Sequence, residues 1–237
     1  MVDASQNTIA QNIRLIQARI HEAEKKYQRP PGAVQLLAVS KTRPVEDVYA
    51  AMSIDQQHFG ENYLQDAVPK IEAVSNSHPN CTIKWHFIGP IQSNKTQAIA
   101  QHFNWVHSID RLKIARRLSE QRQAEQTPLN ICIQVNTSGE SSKSGVSPEE
   151  TLHLAKEISL LPNLNLRGLM TIPASSENFT QQRQPFHLLH ELKEECVTQG
   201  LLLDTLSMGM TNDMEAAIAE GSTIVRIGTA IFGARLK

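Results

Sequence analysis

The chain has 237 residues with 23 basic and 24 acidic side chains, so it is long enough for one large domain and is nearly neutral. Near-neutrality argues against a nucleic-acid partner, and no run of about 18 apolar residues is available to cross a membrane. The three cysteines, Cys81, Cys132 and Cys196, form no C-x-x-C pair, which argues against a disulfide framework or a cysteine zinc site and favours the reducing cytoplasm.

The chain begins with a predicted amphipathic helix, whose apolar residues recur at helical spacing at Ile9, Ile13, Ile16 and Ile20. Eight short apolar segments that are typical of buried strands follow it. They occupy residues 35–41, 57–62, 84–89, 105–110, 130–136, 166–172, 203–209 and 224–233. Stretches with helical periodicity separate them, and the one at 147–161 opens with a serine and a proline, which is a typical helix start.

Strands that alternate with helices predict a parallel sheet with right-handed crossovers. Eight such units favour a closed (β/α)8 TIM barrel, in which the N-terminal helix covers the gap between the last strand and the first. No linker or change of composition divides the chain, so residues 1–237 are predicted to form a single domain that lacks a second one. A doubly wound open sheet is the alternative.

A lysine follows the first predicted strand, because the apolar run that ends at Val39 continues directly into Ser40 and Lys41. In a barrel, functional groups gather at the carboxyl ends of the strands, and strand eight closes against strand one. Lys41 should therefore lie near the turns at 207–213 and 226–233. An amine there is either solvated and ordinary, or held in a pocket where desolvation makes it a nucleophile.

Both of these turns supply small residues, hydroxyls and backbone N–H groups. Ser207, Gly209 and Thr211 stand in the first turn, and Gly228 and Thr229 stand in the second. Barrels frequently bind phosphate after strands seven and eight, so the two turns indicate a phosphate site. Ordinary turn chemistry is the alternative explanation for either turn.

An arginine interrupts the apolar run of the eighth strand, since Arg226 stands between Val225 and Ile227. A charged group in that position needs a partner, which is either a structural ion pair within the barrel or a ligand. An amine, phosphate-binding turns and a buried guanidinium together describe a site for pyridoxal 5'-phosphate. The three groups would face its aldehyde, its phosphate and its pyridine nitrogen, respectively.

Five stretches carry a resemblance to a known family. They are AVSKT at 38–42, FGENY at 59–63, HFIGPIQSNK at 86–95, SMGMTND at 207–213 and RIGTAIFG at 226–233. Together they resemble the pyridoxal-phosphate-binding homeostasis proteins, whose barrel is similar to the N-terminal domain of alanine racemase. The stretches span nearly the whole chain.

The resemblance implies that Lys41 carries pyridoxal phosphate as an internal aldimine and that Arg226 faces the pyridine nitrogen. It also implies further site residues, which are Ser207, Gly228 and Thr229 at the phosphate, Gly209 in the first turn, Asn62 near the ring, and His86 and Met208 as pocket members. Two positions depart from the family pattern. Thr211 replaces a serine and keeps the hydroxyl, whereas Arg43 replaces a lysine and alters the surface of the site.

An arginine at the pyridine nitrogen favours the unprotonated ring, which supports carbanion chemistry only weakly. Alanine racemase, by the resemblance, adds a second base, a tyrosine from a C-terminal domain, whereas this chain ends at Lys237. We therefore expect a monomeric, non-catalytic protein that carries or buffers pyridoxal phosphate. Apo-forms of cofactor-dependent enzymes are its candidate partners.

Two alternatives use the same lysine. One is a pyridoxal-phosphate-dependent amino-acid racemase, and the other is a cofactor-free Schiff-base aldolase whose turns bind a sugar phosphate. No metal site is expected, because His187 and His190 stand with two glutamates in a pattern that favours a solvated helix face. His107 belongs to no recognisable motif, and no role is assigned to it.

Overall fold

A computed structural model describes residues 4–140 and 143–234, with side chains from residue 8 onward. Its eight strands are joined in chain order into a closed barrel of parallel neighbours, and β8 pairs back to β1. The strands are β1 (Gln35–Val39), β2 (His58–Glu61), β3 (Lys84–Phe87), β4 (Trp105–Ile109), β5 (Leu129–Gln134), β6 (Leu164–Met170), β7 (Thr205–Ser207) and β8 (Ile224–Ile227). The predicted (β/α)8 barrel is confirmed, and the open sheet is wrong.

The helices lie between the strands and around them. They are α1 (Ala4–Lys26), α2 (Val45–Met52), α3 (Leu64–Ser77), α4 (Thr96–His102), α5 (Leu112–Gln121), α6 (Pro148–Ser159), α7 (Phe179–Thr198), α8 (Met214–Ala219) and α9 (Thr229–Phe232), with a short 3-10 helix at Ser93–Lys95. The isoleucines of α1 are buried, and α1 packs against α2, α8 and α9. In this position α1 covers the junction between β8 and β1. Within the described residues, no helix combines the length and the apolar character needed to cross a membrane.

The strands are shorter than the apolar segments that predicted them, most of all at the eighth. β8 ends at Ile227, and the rest of the segment 224–233 forms a turn at Gly228 and the helix α9. Ile231 and Phe232 of that helix are buried in the same apolar core as the strand. A strand and a short helix that share one core are both apolar, so the run alone does not separate them.

The barrel interior is filled partly by polar side chains. The buried polar group comprises His86, His107, Ser207 and Arg226, and a small apolar cluster of Trp105, Cys132 and Met170 lies among them. Branched aliphatic residues usually fill a barrel of this kind. These polar side chains therefore need hydrogen-bond partners inside the barrel, because burying a polar group without a partner costs free energy of folding.

A buried ion pair joins β2 to α3 beneath the first strand's end. The Nζ atom of Lys70 lies 2.6 Å from Oε1 of Glu61, and both side chains are almost fully buried. Lys70 also donates to the backbone oxygen of Ser40 at 2.9 Å, and the Ser40 hydroxyl donates to Glu61 at 2.6 Å. This triad fixes the residue that precedes Lys41.

Replacing Lys70 by methionine should lower the free energy of unfolding by about 3–5 kcal/mol, because it leaves the Glu61 carboxylate buried and unpaired. Burial raises the pKa of Glu61 above its ordinary value of 4.5, while Lys70 opposes that rise. Without Lys70 the pKa rises further, so the folded variant holds a proton that the unfolded chain releases, and its stability falls as the pH rises. Urea unfolding should therefore show a larger loss at pH 8 than at pH 5.

The matched control is Lys26→Met. Lys26 pairs with Glu215 at 2.7 Å, but both side chains are largely exposed, at 63% and 49%. Such surface pairs contribute little, so this variant should unfold like the unaltered protein at both pH values. Equal losses in the two variants would contradict the role given to the buried pair.

Candidate functional site

A cavity of about 210 Å³ opens at the carboxyl end of the barrel. Its walls come from the segments that follow β1, β2, β3, β6, β7 and β8, which is the face where barrels carry their functional groups. Its polar wall includes Lys41, Asn62, Thr211, Arg226, Gly228 and Thr229. One amine, one buried guanidinium and two turns thus share a single cavity.

The backbone around Lys41 is held from both sides. Ser40 is fixed by the Glu61–Lys70 pair, and its N–H also donates to the oxygen of Gly60 at 3.0 Å. On the other side, Thr42 adopts a left-handed conformation with φ +62°, which costs a non-glycine residue about 1–2 kcal/mol. The neighbouring contacts maintain this strained turn, so the lysine stays directed to the cavity that it lines.

Asn62 lines the cavity, and the segment after β3 approaches its backbone closely at a glycine. A Cβ atom on Gly89 would lie 2.3 Å from the backbone oxygen of Asn62, so a side chain there would push the two segments apart. The Oδ1 atom of Asn62 is buried and has no hydrogen-bond partner among the described residues. A ligand that donates a hydrogen bond at this wall would satisfy it.

The two turns after β7 and β8 form the opposite wall. Gly209 has φ +95°, a conformation that favours glycine, and its oxygen accepts from the N–H of Arg226 at 2.9 Å. The N–H of Met210 donates to Asp213 at 2.6 Å, which fixes the first turn. In the second turn, α9 begins at Thr229, and the first N–H groups of a helix lack partners within the helix. These groups suit an anionic oxygen.

Arg226 is buried, yet its direct hydrogen-bond partners are neutral. Its Nη1 atom donates to the backbone oxygen of Ser207 at 2.6 Å and to the Ser207 hydroxyl at 2.8 Å, and its Nη2 atom donates to the oxygen of Thr171 at 2.8 Å. Burial lowers the pKa of Arg226 to about 10, so the guanidinium stays charged at neutral pH. The partners of this buried charge are two backbone carbonyls and one hydroxyl, and Arg226 also lines the cavity.

Five of the nine predicted site residues line the cavity, namely Lys41, Asn62, Arg226, Gly228 and Thr229. The structure does not bring the other four to its wall. The Ser207 hydroxyl is hydrogen-bonded to Arg226 and His107, and His86 lies further inside the barrel, next to His107. Met208 packs in the apolar core outside the strands.

The fourth of these residues, Gly209, has a backbone role. A Cβ atom there would lie 2.6 Å from the Cβ of Ala217, so the glycine lets the turn approach α8 closely. Its contribution is to shape the turn whose next residues, Met210 and Thr211, do line the cavity.

Sequence reasoning missed two groups of residues. The first is the apolar part of the cavity wall, which includes Ile88, Ile172, Met210 and Phe232. Position after a strand could have indicated Ile88 and Ile172, because Lys41 was found in the same way. The second is His107, which is fully buried and hydrogen-bonded to Ser207 at 2.7 Å. Its signal was weak, because nothing in the sequence joins residues that lie 100 positions apart.

Comparison with known proteins identifies the family of the chain. The family model of the alanine racemase N-terminal domain matches residues 5–236. The pyridoxal phosphate homeostasis protein of Vibrio cholerae is 55% identical over 228 residues, which are 96% of this chain and 97% of the relative. The chain and this relative therefore match almost end to end.

Solved structures show the same barrel. PipY of Synechococcus elongatus, solved with PLP bound, is 31% identical and has a TM-score of 0.81, over 95% of this chain and 100% of PipY. The alanine racemase of Corynebacterium glutamicum is 14% identical and shares the fold with a TM-score of 0.71, over 97% of this chain and 62% of the racemase. With a family match along nearly its whole length and a relative more than half identical, the chain belongs to the alanine racemase N-terminal domain family.

Proposed function

We propose that this protein is a non-catalytic binder of pyridoxal 5'-phosphate that carries or buffers the cofactor through a Schiff base on Lys41. The name of the Vibrio cholerae relative and the PLP-bound structure of PipY support this proposal. In the attachment, the lysine amine condenses with the cofactor's aldehyde and releases water. The bound cofactor would supply an electrophilic imine and a ring that withdraws electrons.

The residues around the cavity fit this cofactor. Lys41 supplies the amine and Arg226 a guanidinium, and the turn at Gly228 and Thr229 offers N–H groups to the phosphate. The unpartnered Oδ1 atom of Asn62 suits a hydroxyl donor, which the cofactor's ring carries. The amine, the guanidinium, the Asn62 oxygen and the turn at Gly228 and Thr229 therefore each have a counterpart on the proposed ligand.

One observation favours a carrier over a racemase. Among the described residues that line the cavity there is no aspartate, glutamate or tyrosine. A carboxylate would keep the pyridine nitrogen protonated, whereas Arg226 is itself a charged donor and favours the unprotonated nitrogen. The wall also offers no tyrosine as a second base for proton transfer. Carbanion chemistry is thus poorly supported at this site.

The proposal extends to the protein's setting. We place it in the cytoplasm as a monomer, with residues 1–237 as one cofactor-binding unit and apo-forms of pyridoxal-phosphate enzymes as its partners. Free cysteines at Cys81, Cys132 and Cys196 agree with a reducing compartment. The openness of the cavity at the barrel's carboxyl end suits loading and release.

Borohydride reduction of the protein loaded with pyridoxal phosphate should fix the cofactor's mass on the peptide that contains Lys41, because reduction makes the imine permanent. Lys41→Ala should give a colourless protein without this adduct. Lys113→Ala, at an exposed lysine of α5, is the control and should be labelled like the unaltered protein. A label of equal yield on another peptide would contradict the assignment.

The loaded protein should not exchange the α-hydrogen of amino acids in deuterated water beyond the rate of free pyridoxal phosphate. The physical reason is the cavity wall, which supplies no described carboxylate or tyrosine. Loss of the α-proton signal, followed by NMR across the common amino acids, measures this. Rapid exchange that disappears in Lys41→Ala would establish the racemase alternative.

Thr229→Val should weaken the binding of pyridoxal phosphate about tenfold, since it removes one hydrogen bond to a charged oxygen at the start of α9. Pyridoxal, which lacks the phosphate, should bind both proteins equally in a fluorescence titration. Thr198→Val, at the end of α7, is the matched control and should change neither affinity. A parallel loss for both ligands would show that the threonine does not contact the phosphate.

A further inference from the structure

A continuous chain of hydrogen bonds runs through the barrel from Arg226 to the start of β2. Nδ1 of His107 lies 2.7 Å from the Ser207 hydroxyl, and Nε2 of His107 lies 2.8 Å from Nδ1 of His86. Nε2 of His86 then lies 2.9 Å from Nδ1 of His58. Three neighbouring strands, β2, β3 and β4, thus each contribute one histidine to a single line that begins at the arginine.

The direction of the chain follows from its first member. Arg226 can only donate, so the Ser207 oxygen accepts from it. Among the described residues, Nδ1 of His107 is the acceptor within reach of the Ser207 proton, so we assign that proton to this hydrogen bond. His107 must then carry its own proton on Nε2 and donate to His86, which in turn donates to His58. All donors point away from the arginine, and all three rings have the same tautomer.

The surroundings keep the rings neutral, which this arrangement requires. Burial lowers the pKa of His107 to about 3 and that of His58 to about 4, with Arg226 and Lys84, respectively, adding to the shift. The pKa of His86 is also well below its ordinary value, again through burial. His86 stacks on Trp105 with the ring planes 8° apart, which holds the middle ring in place.

We propose that His107, supported by His86 and His58, is a positioning residue for the bound cofactor, because it fixes the Ser207 hydroxyl as an acceptor and so aims Arg226 at the pyridine nitrogen. The inference rests on the proposed binding of pyridoxal phosphate and goes beyond it. Ser207 is the side-chain acceptor of Arg226 among the described residues, and the other acceptors are backbone oxygens. Without His107, the buried Ser207 proton loses its acceptor, and the hydroxyl must turn to find another.

His107→Leu tests the proposal, because leucine fills the space without an acceptor. Its affinity for pyridoxal phosphate should fall about tenfold, since the hydrogen bond from Arg226 to the ring nitrogen is weakened. His107→Asn should restore most of the affinity, since the amide oxygen can replace Nδ1. Met170→Leu, a volume-conserving change in the neighbouring apolar cluster, is the packing control and should bind normally.

Two readouts separate positioning from general damage. The first is the analogue of pyridoxal phosphate with carbon in place of the ring nitrogen, which His107→Leu and the unaltered protein should bind equally. The second is the NMR resonance of cofactor labelled with ¹⁵N at the ring, which should shift in His107→Leu and return in His107→Asn. Equal loss of both ligands, or an unmoved ¹⁵N resonance, would overturn the proposal.

The unaltered protein supplies a test that needs no variant. Long-range ¹H–¹⁵N correlation spectra should show His58, His86 and His107 as neutral rings protonated on Nε2. A proton on Nδ1 of His107 would reverse the direction of these hydrogen bonds and refute the inference. If the unaltered protein binds no pyridoxal phosphate although its rings have this tautomer, the proposed function fails and the hydrogen-bond chain stands as a structural feature only.

Discussion

The buried charge of Arg226 determines which side chains fill the interior of the barrel. Among the described residues, none of its direct hydrogen-bond partners is a carboxylate. An ion in such a place is costly unless hydrogen bonds replace its water. Two backbone oxygens and the Ser207 hydroxyl do so here. The hydroxyl's own proton then needs an acceptor, which brings His107 into the interior. One guanidinium thus accounts for polar side chains where a barrel usually packs aliphatic ones.

The closure of the barrel turns this arrangement into a site. β8 pairs with β1 so that Arg226 stands opposite Leu37, and the lysine that follows β1 lines the same cavity as the arginine. The buried pair of Glu61 and Lys70 secures the backbone on the outer side of the first strand's end. The guanidinium is therefore carried by β8, and the amine follows directly after its neighbour β1.

Sequence patterns were sufficient for the architecture and for half of the site. Alternating strands and helices predict the barrel, and position at a strand end predicts that Lys41 and Asn62 reach the cavity. They were not sufficient for residues whose role depends on a partner. The sequence places Ser207 beside a turn that suits phosphate, whereas the structure shows it at the end of β7 with its hydroxyl hydrogen-bonded to Arg226 and His107. These hydrogen bonds join strands that are far apart in the sequence, and no local sequence pattern indicates them.

The three neutral histidines of the hydrogen-bond chain, His58, His86 and His107, affect how the cavity responds to pH. With pKa values of about 3 and 4 for His107 and His58, these rings stay largely neutral between pH 5 and pH 8. The three histidines therefore add little charge beside Arg226 as the pH changes across that range. A pH dependence of the cavity over that range is therefore expected from other groups, such as Asp213, whose pKa is raised by burial and which interacts with Arg226, or from the bound ligand.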